Sequence, residues 1–149
     1  MNLPYRRSIV AVIQNERKEV LVGQRTKTPE AWQFPQGGIE DGESLEEALF
    51  RELYEEIGSS DLVILRKAPK EIPYLFPSDL NSSIKLRFCG QVQTWFLTQF
   101  KDGATHDLSK SEYEFSALRW VTIEHILETV VDWKRESYKK GLSALGLWS

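Results

Sequence analysis

The sequence predicts a single α/β (α+β) domain in which a mixed β-sheet is flanked by two or three helices. Three observations point there. The chain is 149 residues long, with 41% hydrophobic and 28% charged residues, ordinary globular usage for one domain. Short β-branched and aromatic runs recur along it, and helix-forming stretches stand between them. No repeat, low-complexity tract or linker divides residues 1–149.

The elements follow in order. Ser8 to Gln14 is β-branched and apolar, Asn15-Glu16-Arg17-Lys18 reads as a turn, and Glu19 to Gln24 as a second strand. Together they predict a hairpin. Thr26 to Gly42 is rich in Pro and Gly around a short Trp32-Gln33-Phe34 strand. Ser44 to Ile57 reads as a helix: Ser44-Leu45-Glu46-Glu47 fits a capping box, and Gly58 stands where a left-handed C-terminal residue is needed. Asp61–Lys67, Glu71–Phe76, Cys89–Phe100 and Leu118–Ile123 read as strands, and Glu124–Leu145 as largely helical. Trp32, Trp95 and Trp120 are expected in the core.

Composition excludes several functions. No apolar run approaches the ~20 residues of a membrane-spanning helix, and the N-terminus lacks the apolar stretch of a secretory signal. The lone cysteine, Cys89, cannot close an internal disulfide, so the expected compartment is the cytoplasm. Cys89, His106 and His125 are too sparse for a zinc cage. The net charge of −3 argues against a double-stranded DNA or general RNA coat. The charge is unevenly spread, however. Glu40 to Glu56 holds eight acids and one base, Arg51, leaving a remainder with 18 bases and 14 acids.

That acidic block is where the sequence becomes chemical. At about 100° per residue, Leu45, Leu49, Leu53 and Ile57 form the buried stripe of the helix. Glu56 falls inside this stripe, Glu52 at its edge and Glu55 beside them. Glu52 and Glu56 are like charges four residues apart, and Glu55 and Glu56 crowd a C-terminus whose dipole disfavours anions. Arg51 offsets part of this cost. A partly desolvated carboxylate cluster is relieved by protonation or by a bound cation, and hard oxygen donors without thiolate or imidazole suit Mg²⁺ or Mn²⁺. The preceding loop, Pro35-Gln36-Gly37-Gly38-Ile39-Glu40-Asp41-Gly42, permits close backbone approach and offers carbonyls to a metal.

Gly37, then Glu43, then Arg51-Glu52-Leu53-Tyr54-Glu55-Glu56-Ile57-Gly58 resembles the Nudix signature at its fixed charged and glycine positions, with Ser59 where an aliphatic residue is usual. Trp32 to Gly38, Gly90-Gln91-Val92-Gln93-Thr94-Trp95-Phe96, Glu114-Phe115 with Arg119-Trp120-Val121, and Val130 to Arg135 extend the resemblance along most of the chain. They resemble the bacterial RNA pyrophosphohydrolases and the related bacterial and plant dinucleoside polyphosphate hydrolases. The resemblance implies an α/β/α sandwich and Mg²⁺-dependent cleavage of phosphoanhydrides. The substrate would be RNA bearing a 5′-triphosphate or 5′-diphosphate, or a dinucleoside polyphosphate such as diadenosine tetraphosphate. It further implies that Glu52, Glu55 and Glu56, the Gly37 carbonyl and Glu114 hold the metal, with Glu52 as base or water-orienting group and Arg51 orienting the carboxylates. Arg6, Arg25 and Lys134 are candidates for phosphate contacts, and Tyr74 and Trp133 for stacking on a base. Trp133 has a second reading as a core anchor, because Ile126, Val130 and Trp133 recur at helical spacing. A nucleotide- or RNA-binding module without turnover is the alternative function.

Overall fold

The computed structural model describes residues 2–104 and 115–149. The elements are β1 (Tyr5–Ile13), β2 (Val20–Arg25), β3 (Thr28–Gln33), β4 (Gln36–Gly38), α1 (Leu45–Ile57), β5 (Leu62–Lys67), β6 (Ile72–Leu75), β7 (Gly90–Phe100), β8 (Phe115–Val121), α2 (Ile123–Thr129) and α3 (Arg135–Ala144). A 3₁₀ turn at Ser83–Leu86 precedes β7, and another at Asp132–Lys134 precedes α3.

A five-stranded mixed sheet has the order β4-β1-β7-β5, with β6 also paired to β7. Strand β1 runs parallel to β7 and antiparallel to β4. A second, antiparallel sheet has the order β3-β2-β8. This corrects the predicted hairpin. Among the described residues, the strands on either side of the Asn15–Lys18 turn pair only at a Gln14–Val20 bridge and then part into different sheets. The two runs are apolar enough to be covered on both faces, which a free-standing hairpin could not provide.

Strand β1 shows how the layers form. Its residues Ser8 to Ile13 are all buried, and alternation sends successive side chains to opposite faces. Ile9, Ala11 and Ile13 pack with Leu49, Leu53 and Ile57 of α1 and with Phe96. Val10 and Val12 pack with Phe34, Trp95, Ile126, Tyr138 and Leu142 on the α2–α3 side. The result is the expected α/β/α arrangement, with strands buried on both faces as sandwiched sheets require.

Local signals set the helix boundaries. In α1 the Ser44 hydroxyl accepts from the Glu47 N–H at 3.1 Å, and the Glu47 carboxylate accepts from the Ser44 N–H at 2.9 Å. Gly58 ends the helix at φ +71°, a conformation that favours glycine. Ser59 is buried, and its hydroxyl accepts from the Asp61 N–H at 3.2 Å. The predicted Glu124–Leu145 helix is interrupted at the β-branched pair Val130-Val131, which takes extended backbone. The Arg135 guanidinium donates to the Leu127 and Val130 carbonyls at 2.7 and 3.1 Å and so closes the end of α2. Beyond this break Trp133 stands beside Tyr74 of β6, and Lys134 donates to Gln33 of β3.

Among the described residues, no helix is long and apolar enough to cross a membrane.

Candidate active site

The carboxylates lie where helical spacing puts them. Glu56 is 0% exposed and Glu52 8% exposed, although both are ionisable. Each has a compensating contact. Both Glu56 oxygens face the Gln36 N–H, at 3.2 and 3.4 Å. Arg51 Nη1 donates to Glu52 at 2.8 Å and to Glu55 at 3.2 Å. The rest of the guanidinium is committed to Glu43, through Nε at 2.7 Å and Nη2 at 2.9 Å, and to the Gly38 carbonyl at 2.8 Å. The bond to Glu43, and after it that to Glu52, raises the Arg51 pKa, and Arg51 in turn lowers that of Glu43. Arg51 is therefore the hub joining the glycine loop to the helix.

Strand β4 supplies the other side of the cradle. The Ala11 N–H donates to the Pro35 carbonyl and the Ile39 N–H to the Arg7 carbonyl, at 2.9 and 3.0 Å. With the register Ile9–Gly37 between them, the ladder alternation turns the Gly37 carbonyl towards β1. This corrects the expected Gly37 carbonyl ligand: that oxygen belongs to the β1–β4 ladder, and Gln36 presents its backbone edge to α1 instead. Gly37 contributes its missing side chain: a Cβ there would fall inside the Glu52 carboxylate.

Among the described residues, no three Asp, Glu, His or Cys side chains close on a common point as they stand. Glu52 and Glu55 are drawn to Arg51, and Glu56 to Gln36. The donor set nevertheless fits a hard divalent cation, being all oxygen and lodged in a cradle that a single methyl group would fill. Glu114, the expected distant ligand, lies outside the described residues, as does His106.

A cleft of about 1000 Å³ opens over this edge. Glu52, Glu56 and Gly37 line one part of it, and Arg6, Arg25, Tyr74, Trp133 and Lys134 line the remainder. Strand pairing brings these distant residues together. Arg6 pairs with Gln91, and Gln91 with Tyr74, so the three stand in one row across β1, β7 and β6. Trp133 is half-buried and sits 5.6 Å from the Tyr74 ring and 6.4 Å from that of Phe76. Its helical spacing with Ile126 and Val130 therefore does not make it a core anchor, since the break before it turns the indole to the cleft.

Lys134 is 5% exposed. Its ammonium donates to Gln33 Oε1 at 3.2 Å and lies 5.2 Å from the Trp133 ring centre. Burial, then the nearby Arg25 charge, lowers its pKa to about 8, and Glu56 opposes that shift. Burial raises the Tyr74 pKa. Of the tryptophans expected inside, only Trp95 is fully buried. Trp32 lines the cleft with the Arg119 guanidinium over its ring at 5.2 Å, and half-buried Trp120 packs edge-on to Phe100.

Sequence reasoning assigned no role to Gln33, Gln36, Gln91 or Phe76, all of which line the cleft. Three of the four stand in the segments that carried the family resemblance, and that was the signal available.

The comparisons with known proteins agree with this geometry. An RNA pyrophosphohydrolase of Helicobacter pylori is 39% identical over 140 residues, covering 91% of this chain and 90% of that protein. One of Rhodospirillum rubrum is 37% identical over 145 residues, covering 96% and 88%. The Escherichia coli dihydroneopterin triphosphate pyrophosphohydrolase shares the fold, with a TM-score of 0.70 over 92% of this chain and 96% of that one at 21% identity. The NUDIX domain family matches residues 4–141, which takes in every described element that builds the cleft. With its acidic helix, its glycine loop and its sandwich fold, this chain belongs to the NUDIX family of hydrolases.

Proposed function

We propose that the protein is a Mg²⁺-dependent pyrophosphohydrolase, with Mn²⁺ as an alternative ion, that acts on 5′-triphosphorylated or 5′-diphosphorylated RNA, on dinucleoside polyphosphates, or on both. The observation that carries this reading is the continuity of one cleft. Anionic oxygen donors at Glu52 and Glu56 adjoin cations at Arg6, Arg25 and Lys134 and aromatic rings at Tyr74 and Trp133. A nucleotide polyphosphate has the matching sequence of parts. The relatives at 39% and 37% identity carry the name RNA pyrophosphohydrolase.

Divalent ions, when bound, neutralise the charge of the polyphosphate and acidify a water. In this reading Glu52, Glu55 and Glu56 hold them, helped by the Gln36 carbonyl on the backbone edge that faces α1, and by Glu114. Arg51 keeps Glu52 and Glu55 within reach of each other beforehand. Glu52, seated against Gly37, takes the proton of the attacking water or orients it. Arg6, Arg25 and Lys134 grip phosphate oxygens through charge-assisted bonds, and Trp133 and Tyr74 receive a base.

The test is parallel turnover of 5′-triphosphorylated RNA and diadenosine tetraphosphate with Mg²⁺. Release of 5′-monophosphate RNA, or of mononucleotides, at rates abolished by chelation supports the reading. No turnover of either, with folded protein and saturating Mg²⁺, overturns it in favour of a binding module.

A further inference from the structure

Gln93 stands in the middle of β7, paired with Ser8 of β1 on one side and Ile72 of β6 on the other. It is 1% exposed, on the face that carries Gln91 and Trp95, where an aliphatic residue would avoid the cost of burying an amide. Its Nε2 donates to Gln36 Oε1 at 3.2 Å and to Gln91 Oε1 at 3.4 Å. Gln91 Oε1 also accepts from the Ser8 hydroxyl at 2.8 Å. Among the described residues, the Oε1 of Gln93 is buried without a hydrogen-bond partner. In this arrangement Gln93 donates to both neighbouring amides, and its own oxygen is the atom left over.

Gln36 carries the link onward. Its side chain is held by Gln93 while its N–H meets both oxygens of fully buried Glu56. One residue thus connects the sheet beneath the cleft to a carboxylate of the acidic helix.

We propose that Gln93 is a positioning residue: through Gln36 it sets the place of the Glu56 carboxylate for metal binding. This rests on the reading of Glu56 as a metal ligand. Hydrogen-bonding partners of metal ligands change affinity by about 10–100-fold when removed, and Gln93 acts one residue further out. An effect on the order of tenfold is expected.

The test combines Gln93→Leu, Gln36→Leu and the double variant, read by Mn²⁺ binding (the EPR signal of free ion) and by kcat and KM. Each single variant should weaken Mn²⁺ binding and lower kcat about tenfold, with KM changed less than twofold and melting still cooperative. The double variant should be no worse than either single one, because both cut the same link. Gln93→Met, which keeps the side-chain length, serves if the leucine variant does not fold. Unchanged Mn²⁺ affinity in Gln93→Leu, or additive losses in the double variant, overturns the proposal while leaving the functional reading intact. A wild-type protein that binds no Mn²⁺ overturns both. One that binds Mn²⁺ but turns over neither substrate overturns only the functional reading.

Discussion

The guanidinium of Arg51 meets the carboxylate of Glu43 at two points, Nε to Oε2 at 2.7 Å and Nη2 to Oε1 at 2.9 Å. This forked pair holds the guanidinium in the plane from which Nη1 reaches Glu52 and Glu55. Without it, α1 would carry its acids with no organised counter-charge.

Arg51→Ala should therefore destabilise the metal-free protein by about 1.5–3 kcal/mol, the range for hydrogen bonds to charged groups. Arg51→Lys should recover only part, because an ammonium cannot make the fork. Mg²⁺ should restore more of the melting temperature in Arg51→Ala than it adds to wild type, since the ion replaces the missing charge. Thermal unfolding in chelator and in Mg²⁺ checks this. The pH dependence has a definite sign. The Glu43 pKa is depressed in the folded state, so its contribution is present above the unfolded value and lost as pH falls through the folded one. Glu43→Gln should flatten that acid-side loss.

Glu55→Gln and Glu56→Gln should each lower kcat at least 100-fold with KM little changed. Glu56 is fully buried, and a neutral amide there still offers an oxygen to the Gln36 N–H. In Glu56→Gln the melting temperature in chelator should stay level or rise, because the buried Glu52–Glu56 like-charge pair has been relieved. Steady-state kinetics with unfolding in EDTA separates the two effects.

Gly37→Ala should preserve the fold and damage turnover. The new methyl group must displace the Glu52 carboxylate, which also takes it off Arg51. A drop in kcat of about 10–100-fold is expected. Circular dichroism and kinetics on the same preparation test it. Unchanged kcat would mean Glu52 acts from elsewhere.

Lys134 makes two opposite pH predictions. Its pKa is lowered to about 8 from an ordinary 10.5, so the unfolded chain binds more protons between those values. Stability should rise with pH across that window, and Lys134→Met should remove the rise. Substrate affinity should move the other way, with KM increasing above pH 8 as the phosphate contact loses its charge. Chemical unfolding and KM from pH 7 to 10 check both.

Local signals made α1 legible from sequence. The capping box, Gly58 and the leucine stripe fixed its ends and its buried face, and hence the placement of Glu52 and Glu56. Its partners were not legible, because strand pairing over long separations decides them. Arg6 meets Gln91 only through parallel pairing 85 residues apart, and no local pattern encodes that register. The same holds for β1 and β2, where a turn sequence implied a hairpin and tertiary cover on both faces separated the strands. Trp133 was ambiguous for a local reason. Periodicity continues through Val130-Val131, but β-branched residues in extended backbone break the helix there, and the phase is lost. Gly37 was recognisable as a glycine position, while its reason, the carboxylate occupying the space of its Cβ, needed three dimensions.

The most direct test is a crystal structure grown with Mn²⁺, with anomalous scattering locating the ion. The account predicts a peak within coordination distance of the Glu52, Glu55 and Glu56 carboxylates, with Glu52 or Glu55 withdrawn from Arg51. A map with no peak there, and with those side chains still bonded to Arg51 and Gln36 as in the metal-free arrangement, would contradict it.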